Sequence, residues 1–217
     1  MNGNFNELHK TAYTGGLDFQ HNWKNREYYL DGNVIFSHVL GSTEAITATQ
    51  RTLRHNFQRT DASHVSVDPS KTSLTGSGGR IELGKNGGGN WRYNGGLIWR
   101  SPELELNDVG FLRRTDEVIQ FGNLNYLWQI PTETYRNINV GFEQSTFYDF
   151  GGNLNRVRFE GRGEISWINN WWTEGGYGLS TNYFDNFYLR GGPRWRRPDT
   201  GFWYFFFGSD RSKLFSF

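Results

Sequence analysis

The feature that most constrains the fold is a series of segments in which apolar and polar residues alternate. In residues 91–99, WRYNGGLIW, the apolar side chains Trp91, Tyr93, Leu97 and Trp99 occupy every second position, apart from a glycine, and Arg92, Asn94 and Gly96 fall between them. Successive side chains of a β-strand point to opposite faces of a sheet, so this pattern predicts a strand with one apolar and one polar face. The apolar face of such a strand must contact either a protein core or lipid.

Eight further segments show similar patterns, some less regular, and we predict strands in all nine. Several predicted strands reach ten or more residues, about the length that crosses a bilayer at a tilt, whereas strands of soluble proteins usually have five or six. Short connectors such as 131–134, 150–153 and 168–170 indicate antiparallel neighbours. Two connectors, near 41–72 and 100–117, are long. The other predicted strands are 11–21, 28–40, 74–83, 118–130, 135–148, 154–167, 171–183 and 202–207.

The composition favours alternating strands over a packed globular core. Aromatic residues make up 18% of the 217 residues and glycine contributes 28, while hydrophobic residues reach only 35%. Such a composition suits alternating strands that carry girdles of aromatic residues at the two interfaces of a membrane. The net charge of +1 argues against nucleic acid as a partner.

Two fold classes fit this pattern, and periodicity alone does not separate them. The first is an antiparallel transmembrane β-barrel, formed by a single domain of residues 1–217. The second is a soluble all-β sandwich. Strand length and the positions of the aromatic residues favour the barrel. In a barrel we expect these aromatic side chains to face lipid: Trp91, Tyr93, Trp99, Tyr126 and Trp128.

Export would require sequence beyond what this chain contains. The N-terminal residues 1–10, MNGNFNELHK, have no apolar segment typical of a signal peptide. If the protein is exported, we expect its natural N-terminus to be missing here. The sequence contains no run of about 18 apolar residues, so we expect no transmembrane helix.

The densest polar cluster lies in the two long connectors. Arginine–carboxylate pairs among these residues would form either a ligand site, as a plug or constriction in a lumen, or a structural ion-pair network that fixes a loop. Asp108 and Asp116 are also the two carboxylates that a glycoside hydrolase would need, although nothing in their spacing selects them. The cluster comprises Asn107, Asp108, Arg113, Arg114 and Asp116 with Gln58, Arg59 and Asp61.

No cofactor or metal is expected from the sequence. There are no cysteines, and no two histidines have the i, i+4 spacing of a helical metal site, so we expect His9, His21, His38, His55 and His64 to be isolated polar residues. Residues 79–85 nearly match a phosphate-binding loop, but Asn86 stands where Ser or Thr should hold magnesium and no helix pattern follows. We therefore predict a glycine-rich strand there.

Eight segments, read in order, resemble a known bacterial family. The chain is similar to the C-terminal outer-membrane barrel, a domain of unknown function, of Gram-negative proteins that carry an N-terminal carbohydrate-binding family-nine-like domain. The block LELNDVGFLRRTD at 104–116 is the most specific of the matching segments. The others are GGLDF at 15–19, GSTEAI at 41–46, QRTD at 58–61, VDPSKTSLTG at 67–76, NWW at 170–172, LRGGP at 189–193 and SDRSK at 209–213.

The resemblance implies a barrel in the bacterial outer membrane that is larger than this chain. The chain would be an internal part of it and would supply about nine or ten strands. The expected function is that of a pore, transporter or surface-binding component linked to carbohydrate handling. Its expected partners are outer-membrane lipid, glycans and other outer-membrane or periplasmic proteins. Two alternatives stay open: a soluble all-β carbohydrate-binding module, and an outer-membrane hydrolase.

Overall fold

The protein folds into one large antiparallel β-sheet, as described by a computed structural model covering residues 9–107, 110–210, 212–214 and 216. In these residues the sheet has nine strands, and a separate pair of two-residue strands brings the number to eleven. The strands are β1 His9–Trp23, β2 Tyr28–Gly41, β3 Ser73–Lys85, β4 Trp91–Arg100, β5 Glu117–Trp128, β6 Tyr135–Tyr148, β7 Leu154–Trp167, β8 Trp172–Thr181, β9 Phe184–Asp185, β10 Trp195–Arg196 and β11 Thr200–Gly208. The predicted all-β antiparallel class is confirmed.

Each strand of the main sheet pairs with the next strand along the chain from β1 to β8, and β11 then pairs with β8. Within the described residues, β1 and β11 are the two edge strands and do not pair with each other. One short helix, α1 (Thr43–Gln50), begins in the connector after β2, where the Ser42 side chain accepts a hydrogen bond from the Ala45 backbone N–H. No helix in the described part of the chain has the length and apolar character needed to cross a bilayer.

The pairing register gives the sheet two faces of opposite chemistry. One, which we call the polar face, carries charged side chains on every strand from β1 to β8. They are Asp18, Asp31, Arg80, Glu82, Arg92, Arg100, Glu117, Glu143, Arg156, Arg158, Glu160, Arg162, Glu164 and Glu174.

The other face, which we call the apolar face, carries aromatic and aliphatic side chains. Two basic residues near this face, Lys85 and Arg136, lie at strand ends and bind groups of the adjoining turns, the Glu27 carboxylate and the Ile168 carbonyl oxygen. The apolar face is uncovered by other described parts of the chain, and Leu17 is 74% and Trp203 is 78% exposed.

The small core lies on the polar face, under the long connectors. Val39 of β2 and Leu74 of β3 pack against Ile46 of α1, and all three are buried. Farther along, Ile35 of β2 lines a cavity together with Leu104 of the connector 101–116. Ile35 interrupts the alternation in β2 because it faces this apolar cavity on the polar side of the sheet.

Candidate functional site

The long connectors all emerge at one end of the sheet and pack against one another there. They are residues 42–72, 101–116 and 182–199, joined by the shorter connector 149–153. Contacts between them include the Thr115 N–H to the Arg54 carbonyl oxygen at 3.1 Å and the Asn56 side-chain amide to the Asn186 carbonyl oxygen at 2.6 Å. At the other end of the sheet the connectors are the short turns 24–27, 86–90, 129–134 and 168–171.

A buried ionic cluster, which we call the Arg59 network, joins three of these connectors and consists of Arg59, His64, Asp116 and Asp149. Arg59 donates to the Asp116 carboxylate at 3.1 Å and lies 3.8 Å from that of Asp149. His64 Nε2 lies 2.8 Å from the other oxygen of Asp116, which also accepts from the Phe150 backbone N–H at 3.0 Å. Arg59, Asp116 and Asp149 are each less than a tenth exposed, so the charges compensate one another away from solvent.

A second buried cluster lies beside it, around Glu105. The His55 ring contacts Glu105 through Nε2 at 3.0 Å and the Pro102 carbonyl oxygen through Nδ1 at 2.7 Å. Asn107 donates its backbone N–H to the Glu105 carboxylate at 2.8 Å. Burial raises the pKa of Glu105, but the hydrogen bonds from His55 and Asn107 outweigh that effect and lower the pKa to about 2.

The structure brings some of the predicted site residues together and separates others. Arg59 and Asp116 form the expected arginine–carboxylate pair, but Asn107 belongs to the Glu105 cluster. Asp61 accepts a hydrogen bond from the Arg194 backbone N–H at 2.9 Å, and Gln58 donates to the Arg51 carbonyl oxygen at 3.1 Å.

Arg113 and Arg114 line a cavity on the polar face. The predicted site residue Asp108 lies outside the described residues. The role of the predicted cluster as a whole, ligand site or structural network, stays a prediction.

The expectation that the histidines are isolated is wrong for His55 and His64. Both lie in buried clusters, because the connectors that hold Glu105, Asp116 and Asp149 fold back over them. Sequence spacing gives no indication of this, since His64 and Asp116 are more than fifty residues apart and neither lies in a regular repeat.

The sequence analysis also missed Asp149 and Glu105 as site residues. Asp149 directly follows β6 in a short connector, where a carboxylate is ordinary turn chemistry: it accepts from the Asn153 backbone N–H at 2.9 Å. Glu105 lies within the block 104–116, beside residues that the sequence analysis did select.

His64, Asp116 and Asp149 each offer one potential metal-ligand atom, and these three atoms lie within 4.8 Å of one another. Arg59 contacts both carboxylates, however, and its guanidinium supplies the positive charge that a metal ion would otherwise bring. The geometry therefore fits an ion-pair network better than a metal centre.

The aromatic side chains predicted to face lipid all lie on the apolar face. The register pairs Trp91 with Tyr126 and Trp99 with Val118, which keeps them on the same side as Tyr93 and Trp128. The rings of Trp91, Tyr126 and Trp128 are in contact, with centroids 4.8 and 4.4 Å apart. They line a shallow groove at the short-turn end of the sheet.

Comparison with known proteins identifies the family but no individual relative. No curated protein and no solved structure matches this chain. Residues 2–217 match the profile of a domain of unknown function, DUF5916. Because this match covers nearly the whole chain, the protein belongs to the DUF5916 family.

Proposed function

We propose that this chain forms the wall of an outer-membrane β-barrel that acts as a pore, transporter or surface-binding component. The observation that carries the proposal is the separation of charge between the two faces of the sheet. A soluble sheet covers its apolar face with a second layer, whereas here that face is exposed. Among the described residues, the charged side chains near it, Lys85 and Arg136, lie at strand ends. Lipid is the solvent that suits such a face, and the charged face would then line a lumen.

Aromatic residues on the apolar face support this orientation. Near the short-turn end, tryptophan and tyrosine recur on neighbouring strands, and a second, sparser set lies toward the other end. Such side chains concentrate at membrane interfaces because one part of the ring system is apolar and the other binds water. The first set is Trp23, Tyr28, Trp91, Tyr126, Trp128 and Trp167, and the second is Tyr13, Trp99 and Tyr148.

The connectors support the same proposal. Outer-membrane barrels have short periplasmic turns and longer extracellular loops, and this sheet has short turns at one end and long, packed connectors at the other. The long connectors would then lie on the cell surface and narrow the mouth of the lumen. The family resemblance adds a link to carbohydrate handling.

Detergent dependence of folding tests this proposal most directly. We would follow β-structure by circular dichroism, with and without detergent micelles, and migration on a gel before and after heating. We expect β-structure and a heat-dependent shift in migration only with detergent. A monodisperse protein that unfolds cooperatively without detergent would contradict the barrel.

A soluble carbohydrate-binding module is the second candidate, and the contacting rings of Trp91, Tyr126 and Trp128 favour it. Exposed aromatic rings side by side form a platform on which sugar rings stack. Binding of a neutral oligosaccharide by detergent-free protein, abolished by Trp91→Ala, would support this candidate over the barrel.

A hydrolase has less support among the described residues. Both oxygens of Asp116 accept hydrogen bonds from neighbouring side chains or backbone, so this carboxylate has little freedom to act as an acid or base. Loss of glycan turnover on Asp108→Asn would be the result that favours an enzyme.

A further inference from the structure

A cavity of about 440 Å³ opens on the polar face under the connector 101–116. Its volume falls in the range of pockets that hold small-molecule ligands. Four arginines and a single acidic residue contribute to its wall, together with aromatic and aliphatic side chains. The lining residues that matter here are Arg100, Arg113, Arg114, Glu117, Arg156 and Tyr183, and we call this space the arginine cavity.

The positive charge of the arginine cavity is only partly compensated. Arg100 pairs with Glu117 at 2.7 Å, and among the described residues no carboxylate lies at ion-pair distance from Arg113, Arg114 or Arg156. Four of the six arginines on the strands of the polar face have a carboxylate partner, for example Arg158 with Glu160 at 2.6 Å.

Two other carboxylates close to the cavity already have arginine partners. Asp116 binds Arg59 at 3.1 Å, and Asp185 lies 3.7 Å from Arg197. Both line the recess next to the arginine cavity, where Arg114 and Arg156 also lie. An excess of positive charge therefore persists where the cavity and the recess meet.

Aromatic rings hold two of these guanidinium groups in place. The Arg156 guanidinium lies 4.0 Å from the centre of the Phe147 ring and 5.2 Å from that of Tyr183, and Arg114 lies 4.6 Å from that of Phe187. A ring contacts the flat face of a guanidinium and leaves the N–H groups at its edge free to donate. The two arginines are thus oriented without their hydrogen-bonding capacity being used.

The recess also holds uncharged polar groups without partners. Asn186 is 7% exposed and lines the recess, and its side-chain oxygen has no hydrogen-bond partner; the same is true of the side-chain oxygen of Asn155. Buried polar atoms normally have partners, so these oxygens are suited to accept from a hydroxyl group of a bound molecule.

We propose that the arginine cavity binds the anionic group, carboxylate or phosphate, of a small hydroxyl-bearing solute. Arginine forms paired, charge-assisted hydrogen bonds with both anions, and the asparagine oxygens would accept from the hydroxyl groups. The position of the cavity inside a lumen rests on the proposed function, but binding itself depends only on the described side chains.

The test measures binding to the full chain by isothermal titration calorimetry, in whichever solvent keeps it folded. The probes are glucuronate for a carboxylate, glucose 6-phosphate for a phosphate, and glucose as the uncharged control. We expect one or both anions to bind, more weakly as the salt concentration rises, and glucose not to bind. The tighter anion identifies the group that the cavity selects.

Variants then locate the binding site. Arg114→Gln and Arg156→Gln should each weaken anion binding by about tenfold or more, because each removes hydrogen bonds to a charged group. Arg156→Lys keeps the charge but loses the planar pair of donors, so it should fall between wild type and Arg156→Gln. The matched control is Arg92→Gln, since Arg92 lies on the same face at the short-turn end and binds only backbone oxygens of Gly89 and Trp91.

Absence of binding by both anions, equal binding of glucose, or unchanged affinity in the Arg114 and Arg156 variants would overturn the proposal. Circular dichroism of each variant separates loss of binding from loss of folding, and Arg156→Lys serves if Arg156→Gln does not fold. Failure of the barrel is a separate result: a chain that folds without detergent and still binds anions would refute the membrane location and keep the cavity.

Discussion

At the scale of single residues, Arg59 is expected to be important for stability, because its guanidinium contacts two buried carboxylates that come from different connectors. Replacing it by glutamine leaves Asp116 and Asp149 buried without their main positive partner. We expect Arg59→Gln to lower the free energy of unfolding by about 3–5 kcal/mol, the usual cost of breaking a buried ion pair. Denaturant titration followed by tryptophan fluorescence measures this difference.

The matched control for that prediction is Lys71→Gln. Lys71 pairs with Glu103 in the same group of connectors, but both side chains are about a third exposed. Exposed pairs contribute about 1 kcal/mol or less, so this variant should stay close to wild type. Equal losses in the two variants would show that the Arg59 network is not the stabilising element.

Glu105 makes the connectors sensitive to acid. Its pKa is about 2 in the folded protein, against an ordinary value of 4.5. A lowered pKa means that the carboxylate stabilises the fold above pH 4.5 and that this contribution is lost as the pH falls toward 2. We expect the melting temperature of wild type to drop more steeply over this range than that of Glu105→Gln. Melting curves of both proteins at pH 6, 4 and 2.5 test this prediction. The same dependence of melting temperature on pH in the two proteins would contradict it.

At the scale of elements, the strands were predictable because each has two faces in different surroundings. The predicted bounds 135–148 and 154–167 coincide with β6 and β7, and the other predicted strands differ from the observed ones by at most two residues at either end. The helix α1 and the strands β9 and β10 were missed. They are short, and contacts outside each segment hold them: Ile46 of α1 packs against Val39 and Leu74 of the sheet, and β9 pairs with β10. A local sequence pattern does not record such contacts.

The apolar face provides a prediction for one strand, β5. Leu124 lies on the apolar face and Asn123 on the polar face, next to each other in the chain. In a lipid bilayer, Leu124→Arg would place a charge against hydrocarbon at a cost of up to about 2–4 kcal/mol, whereas Asn123→Arg would place it in a polar lumen opposite Glu143. Folding into lipid vesicles, measured by protection from protease, should suffer only in Leu124→Arg. Equal folding of both variants would argue against lipid contact.

At the scale of the whole molecule, the candidate site was less predictable than the sheet. Arg59 and Asp116 were selected because charged residues were dense in two long connectors. Asp149 and His64 join them only through folding, from segments with no common pattern. Arg156 comes close because β7 and Asp116 line the same recess. Glu105, in contrast, lay within a selected block and was overlooked because an acidic residue there resembles any other surface carboxylate.

The two edge strands of the sheet provide a prediction for the assembly. β1 and β11 present backbone N–H and carbonyl groups that no described strand pairs, and lipid does not tolerate such edges. We expect the chain in detergent to associate through these edges, unless flanking strands are supplied. Because the protein has no cysteine, Leu17→Cys and Phe205→Cys report on contacts at the edges without background.

Mixing the two cysteine variants under oxidising conditions should give crosslinked dimers. The control is Gln120→Cys, on the same face of β5 in the interior of the sheet, which should stay monomeric. A chain that is monomeric by light scattering and crosslinks at neither edge would contradict this prediction.

The order of the strands has a consequence for how the molecule folds. Every pairing from β1 to β8 joins strands that are consecutive in the chain, whereas the Arg59 network joins residues more than fifty positions apart and Asn56 reaches Asn186 across 130 positions. Pairs that are close in sequence form faster because less chain entropy is lost in bringing them together. The sheet would therefore grow hairpin by hairpin, and its mouth would assemble last, so the arginine cavity would exist only once the wall around it is complete.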